Sequence, residues 1–194
     1  MFQQSTVRKF LLVAPLLLLG GSISALGQVQ AAAVSGSGIN FFSNFGGLRT
    51  HVIGYTYNAL GIEGGIFVQR SPLFGVEVRG ATYPFYARYS QSPVTGGFRT
   101  EVPGPRWNSI TFSGYFGGGM SLAQSAGPHY TPTPAQWSPC WQVSQSLSIS
   151  RGVWKWKPYE GTWTQTYTPE RTLRGLSLTT GITYTFTRAR RQVY

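Results

Sequence analysis

The chain contains no aspartate, five glutamates and one cysteine, and only 11% of its 194 residues are charged. Each shortage removes a class of protein. Without aspartate, and with two histidines far apart at positions 51 and 129, it offers no clustered ligand set for a metal ion. Hydrolysis would need a nucleophile, a base and an orienting acid. His129 in GPHYTPTP and His51 in RTHVIG have no carboxylate nearby in sequence and no His-x-Ser motif. No enzyme activity, metal or cofactor is expected. Cys140 has no second thiol to pair with and reads as a loop thiol beside Trp141. The apolar stretch LLVAPLLLLGG is about half of the roughly 20 residues that a spanning helix needs, and no other segment comes closer.

What the chain does have begins with an export signal. Arg8 and Lys9 precede that apolar stretch, and Ala25-Leu26-Gly27 supplies small residues before Gln28. Residues 1–27 therefore read as a cleaved secretory signal peptide. An exported chain without a helical anchor can still span a membrane as a closed barrel. Sixteen Lys and Arg against five Glu give +11, and 14 − 5 = +9 without residues 1–27. Apart from Arg188, Arg190 and Arg191 the cations are dispersed, and export removes the chain from nucleic acid, so anionic lipid headgroups are the better partner.

Glycine (25) and aromatics (6 + 11 + 12 = 29) dominate the rest. Short alternating segments separated by Gly/Pro/Ser-rich turns give the pattern of an antiparallel meander. Residues 28–48 read as a flexible lead-in, with part of a first strand near Asn40 to Phe45. Strand-like segments follow in HVIGYTYN, GIEGGIFVQ, FGVEVRG, ATYPFYARY, GFRTEV, NSITFSGYFGGGMSLA, QVSQSLSI, VWKWKPYEGTWTQTY and GLSLTTGITYTF. The segment GPHYTPTPAQWSPCW reads as a loop, because proline lacks the ladder donor.

Parity separates two faces. Ile62, Ile66 and Val68, Phe74, Val76 and Val78, Phe98 and Val102, and Ile110, Phe112, Phe116, Met120 and Leu122 are all even, as are Leu176, Leu178, Ile182, Tyr184 and Phe186. Their odd neighbours are polar or small, including Glu63, Glu77, Arg79, Arg99, Glu101, Thr111, Ser113, Tyr115 and Ser121. A face of Gly, Glu, Arg and Ser suits a narrow polar lumen, which sets the apolar face against lipid. Tyr83, Tyr86, Tyr89, Trp107, Trp154, Trp156 and Trp163 then fit interfacial girdles. Lumenal charges persist only when paired or hydrated, so Glu63 and Arg79 are expected to pair, with Glu77, Arg99 and Glu101 nearby in one internal network. A turn centred on Ser71 would give cross-strand numbers summing to 142 and place Glu63 opposite Arg79.

Thr179-Thr180-Gly181-Ile182-Thr183-Tyr184-Thr185-Phe186 resembles the C-terminal assembly signal of bacterial outer-membrane proteins. With the hairpin GIEGGIFVQRSPLFGVEVRG, residues 49–186 resemble the small barrels of the OmpA, OmpX and opacity-protein type. TRARRQVY follows Phe186, whereas the family's signal usually closes the chain. The resemblance implies an up-and-down transmembrane β-barrel in the bacterial outer membrane. It also implies insertion by the assembly machinery, with Thr179, Gly181, Tyr184 and Phe186 as the recognised positions.

Length favours about eight strands, with ten if the lead-in or residues 151–168 contribute more. The expected layout is a signal peptide (1–27), lead-in (28–48), barrel (49–186) and basic tail (187–194). An eight-stranded lumen is filled by side chains. The expected function is therefore structural or surface-interacting in a monomer. Residues 126–141, with His129, Tyr130, Trp137 and Trp141, form the external loop for an extracellular ligand. A narrow channel is the second reading, and a secreted soluble β-domain binding a polyanion or glycan the third.

Overall fold

A computed structural model of the chain describes residues 38–52, 55–71, 73–85, 91–104, 110–124, 134–151 and 153–187. The expected signal peptide, His129, Tyr130, Tyr86, Tyr89, Trp107 and the arginines at 188, 190 and 191 lie outside the described residues. Eight antiparallel strands close into a barrel, each paired with its sequence neighbours and β8 with β1. They are β1 (Gly38–Val52), β2 (Tyr55–Gln69), β3 (Phe74–Phe85), β4 (Gln91–Pro103), β5 (Ile110–Ala123), β6 (Gln136–Arg151), β7 (Trp154–Tyr167) and β8 (Thr172–Thr187). All eight exceed the roughly 9–11 residues that cross a bilayer, so the barrel extends beyond the hydrocarbon. Among the described residues no helix is long and apolar enough to span.

Burial is inverted relative to a water-soluble domain. Phe45, Ile62, Phe74, Val78, Phe98, Phe116, Leu178 and Phe186 are exposed on the outside, while Glu77, Lys157, Glu160 and Thr162 are fully buried inside. The outer face has no protein to cover it, and lipid is the solvent that suits it. In β2 to β5 and β8 the even positions named above point outward; in β1 and β6 the assignment is reversed, with Asn40, Phe42, Asn44, Ser144 and Ser146 inside. The number of residues in each connection sets the parity of the next strand, so parity holds within a strand and not across the chain.

Several expectations change. β1 begins at Gly38, so residues 38–48 belong to the barrel, and HVIGYTYN straddles β1 and β2 instead of forming one strand. ATYPF continues β3. QWSPCW lies in β6, which moves Trp137, Trp141 and Cys140 out of the expected loop. Its proline is tolerated because Pro139 pairs only with Met120 of β5, the β6–β7 ladder starting at Cys140. Cys140 is buried on the inward face rather than in a loop.

The β2–β3 register differs by two residues from the expected one. Ile66 pairs with Val78, Gly65 with Arg79 and Glu63 with Ala81, so the numbers sum to 144. The turn is wider than expected: the Arg70 and Ser71 amides both donate to the Phe74 carbonyl (3.1 and 3.0 Å), and the Phe74 amide donates to Ser71 Oγ at 3.0 Å. A shift of two keeps every side chain on its expected face but moves it off its expected partner.

Candidate functional site

The lumen holds a chain of alternating charges, Lys155–Glu101–Arg99–Glu77–Arg79–Glu160–Lys157. Its links measure 2.9 Å (Lys155–Glu101), 3.2 Å (Glu101–Arg99), 2.7 Å (Arg99–Glu77), 2.9 Å (Arg79–Glu160) and 2.6 Å (Glu160–Lys157), with Arg79 also paired to Glu77. Glu160 is its best-supported member. Its two oxygens accept from Arg79, Lys157, Asn44 Nδ2 (2.9 Å) and Ser144 Oγ (3.2 Å). Arg99 Nη2 donates to Ser113 Oγ at 2.7 Å, and Ser113 and Ser146 share a hydrogen bond. Residues from β1 and β3 to β7 thus meet in one cluster.

Aromatic rings wall the cations. Arg79 lies 4.1 Å from the centroid of Tyr115 and 5.5 Å from that of Phe42, whose ring also faces Lys157 Nζ at 4.1 Å; Arg99 stands over Phe67 at 5.2 Å. Each offers a π-face to a cation removed from water. Glycines beside these rings make the room. A side-chain carbon at Gly75 would overlap the Phe67 ring, and one at Gly117 the Tyr115 phenol.

All five expected network residues are buried inward, but they are not joined as expected. Glu77, Arg79, Arg99 and Glu101 belong to the chain, whereas Glu63 does not pair with Arg79. The changed register separates them, and Glu63 instead accepts hydrogen bonds from Tyr83 and from Ser177 Oγ (2.9 Å). Tyr83, expected in a girdle, is accordingly lumenal. Glu63 Oε2 and Arg79 Nη1 are buried with no partner among the described residues.

Lys155, Lys157 and Glu160 escaped the sequence reading. Two signals were present: alternation in Trp154-Lys155-Trp156-Lys157, and a proline inside the strand. The ladder slips between Lys157 and Glu160, at Pro158-Tyr159. That bulge changes the outward parity from even (Trp154, Trp156) to odd (Tyr159, Tyr167), which brings Lys157 and Glu160 to the same face three residues apart.

Toward the other end the lumenal hydrogen bonds join neutral side chains, with the part-buried Arg171 at the rim. Thr95 Oγ1 donates to Gln142 Oε1 (2.7 Å), Gln142 Nε2 to Thr164 Oγ1 (2.9 Å), and Thr166 Oγ1 to Gln91 Oε1 (3.2 Å). Beyond them Ala123 and Leu173 are fully buried, with Tyr57 against them. The described residues contain no group of three or more metal-ligating side chains.

Outside, Trp154, Tyr184, Phe186 and Phe41 form an edge-to-face ladder across β7, β8 and β1, with centroids 4.6–5.4 Å apart. Trp156 lies in the same region, and Trp163 faces outward toward the opposite end. Of the expected signal positions, Tyr184 and Phe186 stand in this ladder, Thr179 is buried inward, and Gly181 is pressed against Asn44 of β1.

A closed antiparallel barrel with a polar, charge-bearing interior and an apolar outer belt is a transmembrane β-barrel. Among solved structures the fold matches Neisserial surface protein A, with a TM-score of 0.64 at 8% identity over 76% of this chain and 97% of that one. It also matches Ail, the attachment invasion locus protein of Yersinia pestis, solved in complex with the heparin analogue sucrose octasulfate (TM-score 0.51, 13% identity, 78% and 100%). A third match is the N-terminal β-barrel domain of Pseudomonas aeruginosa OprF (TM-score 0.50, 10% identity, 78% and 100%). No family model and no curated protein matches the chain. At these identities the likeness is one of fold. Fold and apolar outer belt together give the chain the architecture of the small eight-stranded outer-membrane barrels.

Proposed function

We propose that this barrel is a monomeric, sealed scaffold that holds its loops outside the cell, with a structural or surface-interacting role. The observation that carries the reading is the buried charge chain across the lumen, held at 2.6–3.2 Å links and walled by Phe42, Phe67 and Tyr115. Such a plug leaves no bulk-water path for solutes. The ends of the barrel differ in their connections. β1 begins and β8 ends at the same end as the connections 70–73, 104–109 and 152–153, and the longest connection, 124–135, lies at the other. Small barrels keep short turns periplasmic and long loops extracellular, which places 124–135 outside. That connection, shortened from the expected 126–141, is the proposed contact surface. Thr179, Gly181, Tyr184 and Phe186 are proposed as the positions read by the assembly machinery.

Planar-bilayer recording tests the plug. The wild-type barrel should insert without steady conductance, and a stable open level would replace this reading with the narrow channel. That alternative draws support from the unpartnered Glu63 Oε2 and Arg79 Nη1, an acceptor and a donor that water could join. Protease added to intact cells should cut first within 124–135. Protection there, with cleavage at 70–73 or 104–109, would invert the topology.

A further inference from the structure

The distribution of charge over the wall is lopsided. Four of the five glutamates are inside the lumen, whereas Arg49, Arg70, Arg151 and Arg174 face outward. At the loop end Arg49 and Arg174 face outward, and the fifth glutamate, Glu170, lies there in the exposed connection after β7, accepting from Gln136 Nε2 at 3.4 Å. Two of these arginines stand together. In the ladder order β6–β7–β8–β1–β2, one outward row reads Trp141, Gln165, Arg174, His51, Thr56, and the next row toward the membrane centre reads Val143, Trp163, Leu176, Arg49, Asn58. Among the described residues, Arg49, His51 and Arg174 have no hydrogen-bond or ion-pair partner. Arg49 thus stands in a row with Val143, Trp163 and Leu176, where a cation faces lipid and lacks an anion.

Below Arg49 the same strand presents Gly47, between Leu178 of β8 and Leu60 of β2. The missing side chain leaves a trough on the outer wall, a groove of about 480 Å³ lined by Gly47, Arg49, Asn58, Leu60, Leu176 and Leu178. Its walls stand on strands two apart in the sheet, roughly 10 Å, which is wide enough for one acyl chain. Head and trough point along one line, from cations at the loop end to leucines in the belt. That is the shape and charge of an anionic amphiphile rather than of a protein partner.

We propose that β8, β1 and β2 form a binding site for a phosphate-bearing lipid, with the headgroup phosphate held by Arg49, Arg174 and His51 and an acyl chain lying over Gly47 between Leu178 and Leu60. Guanidinium groups suit phosphate because they donate in a fork and are weakly hydrated. The inference rests on the barrel spanning a bilayer and is independent of whether the lumen conducts.

Native mass spectrometry of the folded barrel, equilibrated in mild detergent with equal amounts of phosphatidic acid and phosphatidylcholine, tests it. The wild type should retain phosphatidic acid in preference by on the order of tenfold, a factor within reach of two cations at a lipid surface. Arg49→Gln with Arg174→Gln should abolish the preference, while Arg70→Gln with Arg151→Gln, at the other end, should leave it intact. Gly47→Leu should weaken retention with every charge in place, because its first carbon meets only ordinary contacts with Ala59 and Leu60 and the added bulk fills the trough. Folding of each variant is read from the gel mobility of unheated samples. Equal retention of the two lipids by wild type, or a preference that survives the Arg49/Arg174 change, overturns the site. Displacement of the lipid by millimolar inorganic phosphate, or indifference to Gly47→Leu, overturns the acyl-chain half and reduces the site to an anion patch.

Discussion

The two halves of the lumen are built from the same alternating strands, yet they solve the problem of buried polarity differently. Near the turns, four cations and three carboxylates occupy one chain, and Glu160 alone satisfies four donors. Near the loops, Thr95, Gln142, Thr164, Thr166 and Gln91 form neutral hydrogen bonds beneath Ala123 and Leu173. Neutral groups cost a little each to leave unpaired, whereas an unpaired ion in a site without water costs several times more. The halves should therefore differ sharply in how they tolerate the loss of one group.

The largest effect is expected at Glu160. Glu160→Ala leaves Lys157 with no carboxylate and Arg79 with one, at a cost of about 3–5 kcal/mol in urea unfolding from detergent or lipid. Lys157→Met with Glu160→Met should recover part of that loss, since an apolar pair of similar volume removes both desolvated charges. If the single Glu160 change were as mild as a hydroxyl deletion near the loops, the ionic half would be hydrated and the contrast would fail. A smaller effect belongs at the boundary. Tyr83→Phe removes one of two donors to Glu63 Oε1 and should cost about 1–3 kcal/mol, the penalty for a buried acceptor left short. Ser177→Ala, which removes the other donor, gives an independent reading of the same carboxylate.

The barrel and its faces were legible because a strand's period of two is recorded residue by residue: Ile62, Glu63, Val76, Glu77, Val78 and Arg79 all lie where parity sets them. Partners were less legible. Whether Arg79 meets Glu63 or Glu160 depends on the turn at residues 70–74 and on β7, brought across the lumen from 81 positions away by barrel closure, neither of which a local pattern contains. The bulge at Pro158-Tyr159 hid Lys157 and Glu160 for the same reason, since one inserted residue breaks the alternation that reveals a face. The prolines around Trp137 and Trp141 argue for a loop, whereas Pro139 sits in a strand where only one neighbour pairs.

The smallest effect is expected deep in the neutral half, at Ser138 of β6 and its cross-strand neighbour Ser121 of β5. Both side chains are buried, and neither hydroxyl has a partner among the described residues. Ser138→Ala therefore deletes no hydrogen bond to the described residues and leaves a methyl group on an inward face that already holds Ala123 and Cys140. The change in unfolding free energy should stay within about 0.5 kcal/mol of zero, with either sign. A loss above about 1 kcal/mol would mean that the hydroxyl holds an ordered water linked to Gln91 Nε2 or Ser121, because a bridging water binds nearly as well as a direct partner. Ser121→Ala measured beside it, and the double variant, would then show coupling between the two sites; additive, near-zero values would keep the neutral half as a set of independent groups, in contrast to the charge chain below it.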